Sequence, residues 1–144
     1  MPELPGRVLA VDHGRQRIGV AISDASGAPA RPLTTIHHVS MSDDASRLAR
    51  IAAEQGATII VVGQSFDEDG KPNAAGRSAA RLGDAVKKLT GLPVVLWDEA
   101  FSTKDARRWL LLAGTRRGAR VGHQDAQAAA VILQSYLDSR GAPK

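Results

Sequence analysis

The chain has 144 residues, of which 43% are hydrophobic and 24% charged, and its formal net charge is +4 at pH 7. This composition is typical of one soluble globular domain and excludes an intrinsically disordered chain. No apolar stretch is long enough for a transmembrane helix, and the lack of cysteine excludes disulfides, thiolate metal sites and cysteine nucleophiles.

The N-terminal part of the chain predicts three short strands. Residues 7–11 and 17–23 are strongly apolar, and the turn "DHGRQ" between them is short enough to force an antiparallel pair. The turn-rich segment "SDASGAPARP" then precedes a weaker strand at about 33–37. We therefore expect an antiparallel meander at this end of the molecule.

The rest of the chain alternates between helical and extended patterns. The run "ATIIVVG" has five consecutive β-branched residues, as in a strand buried on both faces, and "PVVLW" predicts the next strand. After "DEAFST", Ser102 and Asp105 have the spacing of a capping box at the start of a helix, which ends near the Gly- and Arg-rich "AGTRRGARVG". Apolar residues at helical spacing predict further helices at 43–55, from about 75 to Gly91, and at about 124–137.

This order of elements predicts an α/β fold. We expect a mixed five-stranded sheet with helices on both faces, which is compatible with a ribonuclease H-like architecture and with other small α/β folds. A single domain is expected over residues 1–144, with flexible tails at about 1–6 and 139–144. The start "MPELPGR" lacks the features of a secretory signal, so we expect a cytoplasmic protein.

Asp12 ends the first predicted strand and raises the central question of function. A carboxylate at the end of a buried strand is unfavourable unless hydrogen bonds or a cation satisfy it. An Asx turn before Gly14 is one explanation, because aspartate often accepts a hydrogen bond from the backbone two residues on. A divalent cation held over the end of the sheet is the other.

Further carboxylates lie where they could meet Asp12. Asp98 and Glu99 follow another strand, and strand alternation predicts that only one of them faces Asp12. Asp125 opens the last predicted helix, where it could equally cap free N–H groups. If three carboxylates converge, they have the ligand chemistry for Mg²⁺ or Mn²⁺, and two such ions about 4 Å apart can promote phosphodiester hydrolysis.

Four segments together resemble one protein family. They are "LAVDHGRQRIGVAISD", "IIVVGQSFDEDG", "WDEAFST" and "DAQAAAVILQSYLD", and they match the YqgF (RuvX) family in order over about residues 8–138. Members are similar to Holliday-junction resolvases and are named as pre-16S rRNA nucleases. The resemblance implies a ribonuclease H-like, divalent-metal nuclease that acts in maturation of the 5′ end of small-subunit rRNA.

Position in the family motifs implies the site residues. Asp12, Glu99 and Asp125 correspond to the catalytic and metal-binding set, with Asp98 as the second choice beside Glu99 and Mg²⁺ or Mn²⁺ as the ion. The chain departs from the family pattern in that Ala100 replaces the arginine of "DER" beside the implied metal site, and we expect weaker phosphate binding or activity. It also carries Gln64-Ser65 where a leucine–proline pair is common.

Several arginines are candidates for binding a nucleic-acid backbone. Phosphate contacts from arginine position a nucleic acid without reading its sequence, although a solvated arginine face is an alternative explanation. Because aromatic residues make up only 3% of the chain, backbone or shape recognition is expected rather than base stacking. The candidates are Arg15, Arg17, Arg107, Arg108, Arg116, Arg117 and Arg120.

Other functions remain open at this point. The expected partner is RNA (pre-rRNA) or another structured nucleic acid, with no membrane partner, and the protein is expected to be a monomer or homodimer. A Holliday-junction resolvase fits the same residues, as does a non-catalytic RNA-binding or ribosome-assembly factor with a vestigial acidic site. A phosphotransferase of the actin and sugar-kinase type shares the first motif, but such enzymes need two lobes of this fold around the nucleotide.

Overall fold

The computed structural model describes residues 6–24, 29–99 and 121–141, and in the last range it describes the side chains of 125–140. The elements are β1 (Arg7–His13), β2 (Arg17–Ile22), β3 (Arg31–His37), α1 (Met41–Gln55), β4 (Ala57–Gln64), α2 (Ala74–Thr90), β5 (Val94–Asp98) and α3 (Val121–Gly141). Within these ranges, no helix has the length and apolarity needed to cross a membrane.

The strands form one mixed sheet in the order β3-β2-β1-β4-β5. The pairs β1–β2 and β2–β3 are antiparallel, as the short first turn requires, whereas β4 runs parallel to both β1 and β5. The carboxyl ends of β1, β4 and β5 therefore lie at the same edge of the sheet. The predicted mixed five-stranded sheet is confirmed.

Capping residues explain where two of the helices begin and end. Ser40 precedes α1 and its side chain accepts from the backbone N–H of Asp43, so this helix begins earlier than the apolar pattern alone predicts. Asn73 caps α2 in the same way, through the N–H of Gly76. Gly56 and Gly91 follow the two helices with φ of 69° and 73°, as glycine at a C-terminal cap allows.

Two apolar layers cover the two faces of the sheet. Leu9 and Val11 of β1 are fully buried in the layer that contains α1 and α2, whereas Val8 and Ala10 are buried against α3. The strand alternates strictly because successive side chains point to opposite faces. Asp12 therefore continues the α3 face, and His13 continues the face that α1 and α2 cover.

Some predicted features lie outside the described residues. These are the capping box of Ser102 and Asp105, the helix that it would start, the Gly- and Arg-rich segment after it, and residues 1–5 and 142–144 of the predicted tails. Residues 139–141 belong to α3, which extends beyond the predicted 124–137 at both ends.

Candidate active site

Asp12 is the central carboxylate of the site. It lies next to the end of β1, paired with Gly19 of β2, and its side chain is largely buried. Burial and, after it, the negative charges of Glu99 and Asp125 together raise the pKa of Asp12 to about 6. Glu99 and Asp125, which the sequence also singled out, are thus close enough to Asp12 to act on it electrostatically.

Gly19 explains how α3 comes so close to Asp12. A Cβ at this position would lie 1.9 Å from the backbone carbonyl oxygen of Asp125 and 2.9 Å from the backbone nitrogen of Ala126. Only glycine leaves room for that contact, because neither backbone can yield. Because Gly19 has no side chain, α3 can pack directly against β2 at this point. Asp125 therefore lies next to Gly19, which is the residue of β2 that pairs with Asp12.

Gly63 has the corresponding role on the other side of Asp12. It follows Val62, the partner of Val11 in the parallel pair, and so lies beside Asp12 in the sheet. A Cβ here would be 2.6 Å from Cδ1 of Ile132 and 3.3 Å from Cγ and Oε2 of Glu99. The glutamate side chain thus occupies the space above this glycine.

Sequence reasoning missed both glycines as parts of the site. Each one interrupts an otherwise β-branched or apolar strand, which weakens the strand unless another group approaches the backbone there. That interruption is a signal in the sequence, but it does not say which group approaches.

Asp98 and Glu99 lie at the end of β5, at the edge of the sheet where β1 and β4 also end. Strand β5 ends at Asp98, so strand alternation does not extend to Glu99, and both residues border one cavity of about 440 Å³. The pKa of Glu99 is raised by burial and then by the charge of Asp98. Of the two, Glu99 is the residue whose charge acts on Asp12.

Asp125 lies within α3 and does not cap it. The helix begins at Val121, so the alternative in which Asp125 satisfies free N–H groups at the first turn is wrong. Its Oδ2 instead accepts a hydrogen bond from Nε of Arg17, at 2.7 Å. This ion pair links β2 to α3 beside Asp12.

The predicted basic residues are only partly within the described chain. Arg15 is exposed in the turn between β1 and β2, and Arg17 begins β2. The remaining candidates lie outside the described residues, as does Ala100, and they are Arg107, Arg108, Arg116, Arg117 and Arg120.

His13 is adjacent to Asp12 in sequence but belongs to the opposite face. Its ring packs edge-on against His38, with centroids 6.3 Å apart. Burial lowers the pKa of His13, and His38 and Arg81 lower it further, against the opposing effect of Asp44. Among the described residues Nδ1 of His13 has no hydrogen-bond partner. These contacts place His13 on the face of the sheet opposite to that of Asp12.

The departure at Gln64-Ser65 has a structural explanation. Gln64 is buried and its Nε2 donates to the backbone oxygen of Gly76, while Oγ of Ser65 donates to Oδ1 of Asn73. A Cβ on Gly76 would lie 2.1 Å from the carbonyl oxygen of Ser65. The polar pair therefore anchors the start of α2 to the end of β4, close to Glu99.

The donor set fits a hard divalent cation by its chemistry. Carboxylates are the ligands that Mg²⁺ and Mn²⁺ prefer, and a bound cation would offset the burial and the neighbouring negative charges that raise the pKa of Asp12. Within residues 6–24, 29–99 and 121–141, no three acidic or histidine side chains are already grouped as a metal site. Ligation of one ion by all three would therefore require a side chain to rotate.

Known proteins resemble this chain over almost its whole length. It matches the sequence profile of the RuvX family, described as Holliday junction resolvase, over residues 6–139. A Myxococcus xanthus protein named "Putative pre-16S rRNA nuclease" is 36% identical over 137 residues, covering 95% of this chain and 91% of that protein. A protein of the same name from Desulforamulus reducens is 38% identical over 133 residues, covering 92% and 97%.

Solved structures show the fold class. Thermus thermophilus RuvC, in complex with a Holliday junction substrate, aligns with a TM-score of 0.65 at 18% identity, covering 95% of this chain and 96% of that one. Fowlpox virus resolvase aligns with a TM-score of 0.58 at 12% identity, covering 94% and 99%. The molecule is thus an α/β protein of the ribonuclease H-like, resolvase-type class. With the family match over residues 6–139, the chain belongs to the RuvX family.

Proposed function

We propose that this protein is a divalent-metal-dependent nuclease that hydrolyses phosphodiester bonds in a structured nucleic acid. The observation that carries the proposal is the convergence of charge on Asp12, whose pKa is raised to about 6 by burial and by Glu99 and Asp125. Nuclease-named relatives and the resolvase-type fold support the same reaction class. We assign Mg²⁺ or Mn²⁺ as the ion.

The carboxylates and the arginines of the candidate site would have different roles. Asp12 and Glu99 would hold the ion, and Asp125 would complete the site or accept a hydrogen bond from the attacking water. When bound, the ion supplies Lewis-acid chemistry that offsets the negative charge developing on the phosphate. Asp12 binds a cation only when deprotonated, and Arg15 and Arg17 would position the phosphate backbone.

As substrate we propose precursor small-subunit rRNA, cut near its 5′ end in the cytoplasm. Relatives more than a third identical carry the name of a pre-16S rRNA nuclease, which supports RNA over a DNA junction. The resolvases with the same fold were solved with Holliday junctions, so a four-way DNA junction is the substrate to compare. Either substrate would be bound by a monomer or a homodimer.

The test compares both substrates with the purified protein. An RNA carrying the 5′ precursor segment and a four-way DNA junction are incubated with Mn²⁺ or with EDTA. The variants are Asp12→Asn and the control Asp84→Asn, which removes a carboxylate from the exposed Asp84–Lys88 pair on α2. We expect cutting that needs Mn²⁺, is abolished in Asp12→Asn, is kept in Asp84→Asn, and favours the RNA.

Two outcomes would contradict the proposal. Cutting that survives in Asp12→Asn would place the reaction elsewhere or in a contaminant. Binding of RNA without cutting, equal in the wild-type protein and Asp12→Asn, would instead indicate a non-catalytic assembly factor. The replacement of the family arginine by Ala100 gives that second function its one specific support.

A further inference from the structure

The Arg17–Asp125 ion pair is a direct bond between the sheet and α3 at the candidate site. Nε of Arg17 donates to Oδ2 of Asp125 at 2.7 Å, and the two side chains are 36% and 30% exposed. The pair joins the first residue of β2 to a helix residue more than one hundred positions away. It forms at the point where Gly19 lets the two elements touch.

The bond leaves both partners able to bind something else. It uses one of the five N–H groups of the guanidinium and one of the two carboxylate oxygens. The other N–H groups form the planar fork that matches a phosphate, and the carboxylate is a hard oxygen ligand for a divalent cation.

A divalent cation and Arg17 would compete for Asp125. Both are positive, both need the same carboxylate, and each would repel the other at this separation. A nucleic-acid phosphate would relieve this conflict, because it would attract Arg17 away from the carboxylate.

We propose that Arg17 is a positioning residue that holds Asp125 and exchanges partners when the site is loaded, so that the cation takes Asp125 and a backbone phosphate takes Arg17. The inference rests on the proposed function, since it describes regulation of the same site. No covalent bond forms or breaks in this exchange. Its thermodynamic consequence is reciprocal coupling: nucleic acid tightens the binding of the cation, and the cation tightens the binding of nucleic acid.

The test measures Mn²⁺ binding by electron paramagnetic resonance, at neutral pH and without nucleic acid. The variants are Arg17→Gln, Arg17→Lys and the control Arg50→Gln, which removes the same charge from an exposed position on α1. We expect Arg17→Gln to bind Mn²⁺ about fivefold more tightly than the wild-type protein, because a competing charge close to the ion is removed. The Mn²⁺ affinity of Arg17→Lys should lie between those of the wild-type protein and Arg17→Gln. The Mn²⁺ affinity of Arg50→Gln should equal that of the wild-type protein.

The same variants are then tested for nucleic-acid binding in EDTA. Arg17→Gln should bind the precursor RNA more weakly than Arg50→Gln does, because it loses a phosphate contact as well as a charge. A merely structural residue would not tighten Mn²⁺ binding while weakening RNA binding, so the opposite signs identify the exchange.

Unchanged or weaker Mn²⁺ binding by folded Arg17→Gln would overturn the inference. If Arg17→Gln does not fold, Arg17→Lys decides, and a Mn²⁺ affinity equal to or below the wild type overturns the inference as well. If the wild-type protein cuts in a metal-dependent way and either variant gives such an Mn²⁺ affinity, this inference is wrong and the proposed function still holds. If the wild-type protein neither binds Mn²⁺ nor cuts nucleic acid, the proposed function and this inference are both wrong.

Discussion

At the residue scale, the candidate site is built around one carboxylate, that of Asp12, in an electrostatically unfavourable position. Asp12 is ionised at neutral pH although it is largely buried and faces the charges of Glu99 and Asp125, and its pKa is raised to about 6 for that reason. A carboxyl group whose pKa is higher in the folded than in the unfolded chain makes folding less favourable once it ionises. The ionised carboxylate of Asp12 therefore reduces the stability of the fold at neutral pH.

Substitution of Asp12 should reveal this penalty directly. The penalty is absent below pH 3.8, where an aspartate in the unfolded chain is itself protonated, and it reaches its full size as the pH rises through about 6. In EDTA at neutral pH, Asp12→Asn should therefore be more stable than the wild type by about 1–3 kcal/mol. Thermal unfolding across this pH range checks the sign, and the difference should vanish in acid.

The control for this prediction is Asp84→Asn, which alters an exposed pair on α2. It should leave the pH dependence of unfolding unchanged. Equal or lower stability of Asp12→Asn at neutral pH would show that Asp12 is satisfied by hydrogen bonds, as in an Asx turn, and carries no penalty.

At the element scale, the site is built where strands and a helix approach each other through glycines. Gly19 admits the backbone of α3, and Gly63 admits the side chain of Glu99. The two contacts differ in stiffness, because a Cβ at Gly19 would meet a backbone carbonyl, whereas one at Gly63 would first meet the end of the flexible Ile132 side chain.

Alanine at the two glycines should therefore have unequal effects. We expect Gly19→Ala to destabilise the protein by about 2–3 kcal/mol and to abolish cutting, because α3 and Asp125 must move away from β2. Gly63→Ala should cost about 1 kcal/mol, since Ile132 can rotate. Urea unfolding of both variants measures the difference, and equal effects would show that α3 is not held against Gly19.

The start of α1 is anchored on the other face by a buried carboxylate. Asp44 is fully buried, and it accepts from the N–H of Val39, from Nη2 of Arg47 and from Nδ1 of His38. Burial raises the pKa of Asp44, but these hydrogen bonds outweigh it, so the pKa lies below its usual value. This contribution to stability is present above the unfolded pKa and is lost as the pH falls through the folded one.

Removal of this anchor should be costly. Asp44→Ala removes the shared acceptor of three partly exposed donors, on Val39, Arg47 and His38, and we expect a loss of about 2 kcal/mol in the free energy of unfolding at neutral pH. Asp43→Ala is the matched control, because Asp43 is exposed and pairs with Arg47 at i,i+4, which contributes about 0.5 kcal/mol or less. Comparable losses in the two variants would contradict the account of the buried network.

At the scale of the whole molecule, the two faces of the sheet carry different polar residues. The face that packs on α3 carries Asp12 and the candidate site, whereas the face that packs on α1 and α2 carries His13, whose ring packs against His38. The chain as a whole carries a formal charge of +4, which favours a polyanionic partner.

Binding of precursor RNA should accordingly depend on salt. We expect the logarithm of the association constant to fall linearly with the logarithm of salt concentration, because phosphate contacts release counterions. Arg15→Gln should reduce the slope by about one, whereas Arg50→Gln on α1 should leave it unchanged. A slope that is insensitive to Arg15 would remove this residue from the predicted interface.

The sequence by itself determined the elements and most of the topology. Apolar periodicity and capping residues such as Gly56 and Gly91 located α1 and α2, and the short turn after Asp12 required an antiparallel β1–β2 pair. These features depend on neighbours along the chain, which is why they can be predicted locally. The family resemblance then supplied Asp12, Glu99 and Asp125 as candidates.

Only the tertiary structure decided which groups act on one another. Contacts across the sheet brought Glu99 beside Asp12, ended strand alternation at Asp98, and turned Asp125 from a possible helix cap into the partner of Arg17. Such contacts join residues far apart in sequence, and they depend on packing distances, as at Gly19, that no local pattern encodes.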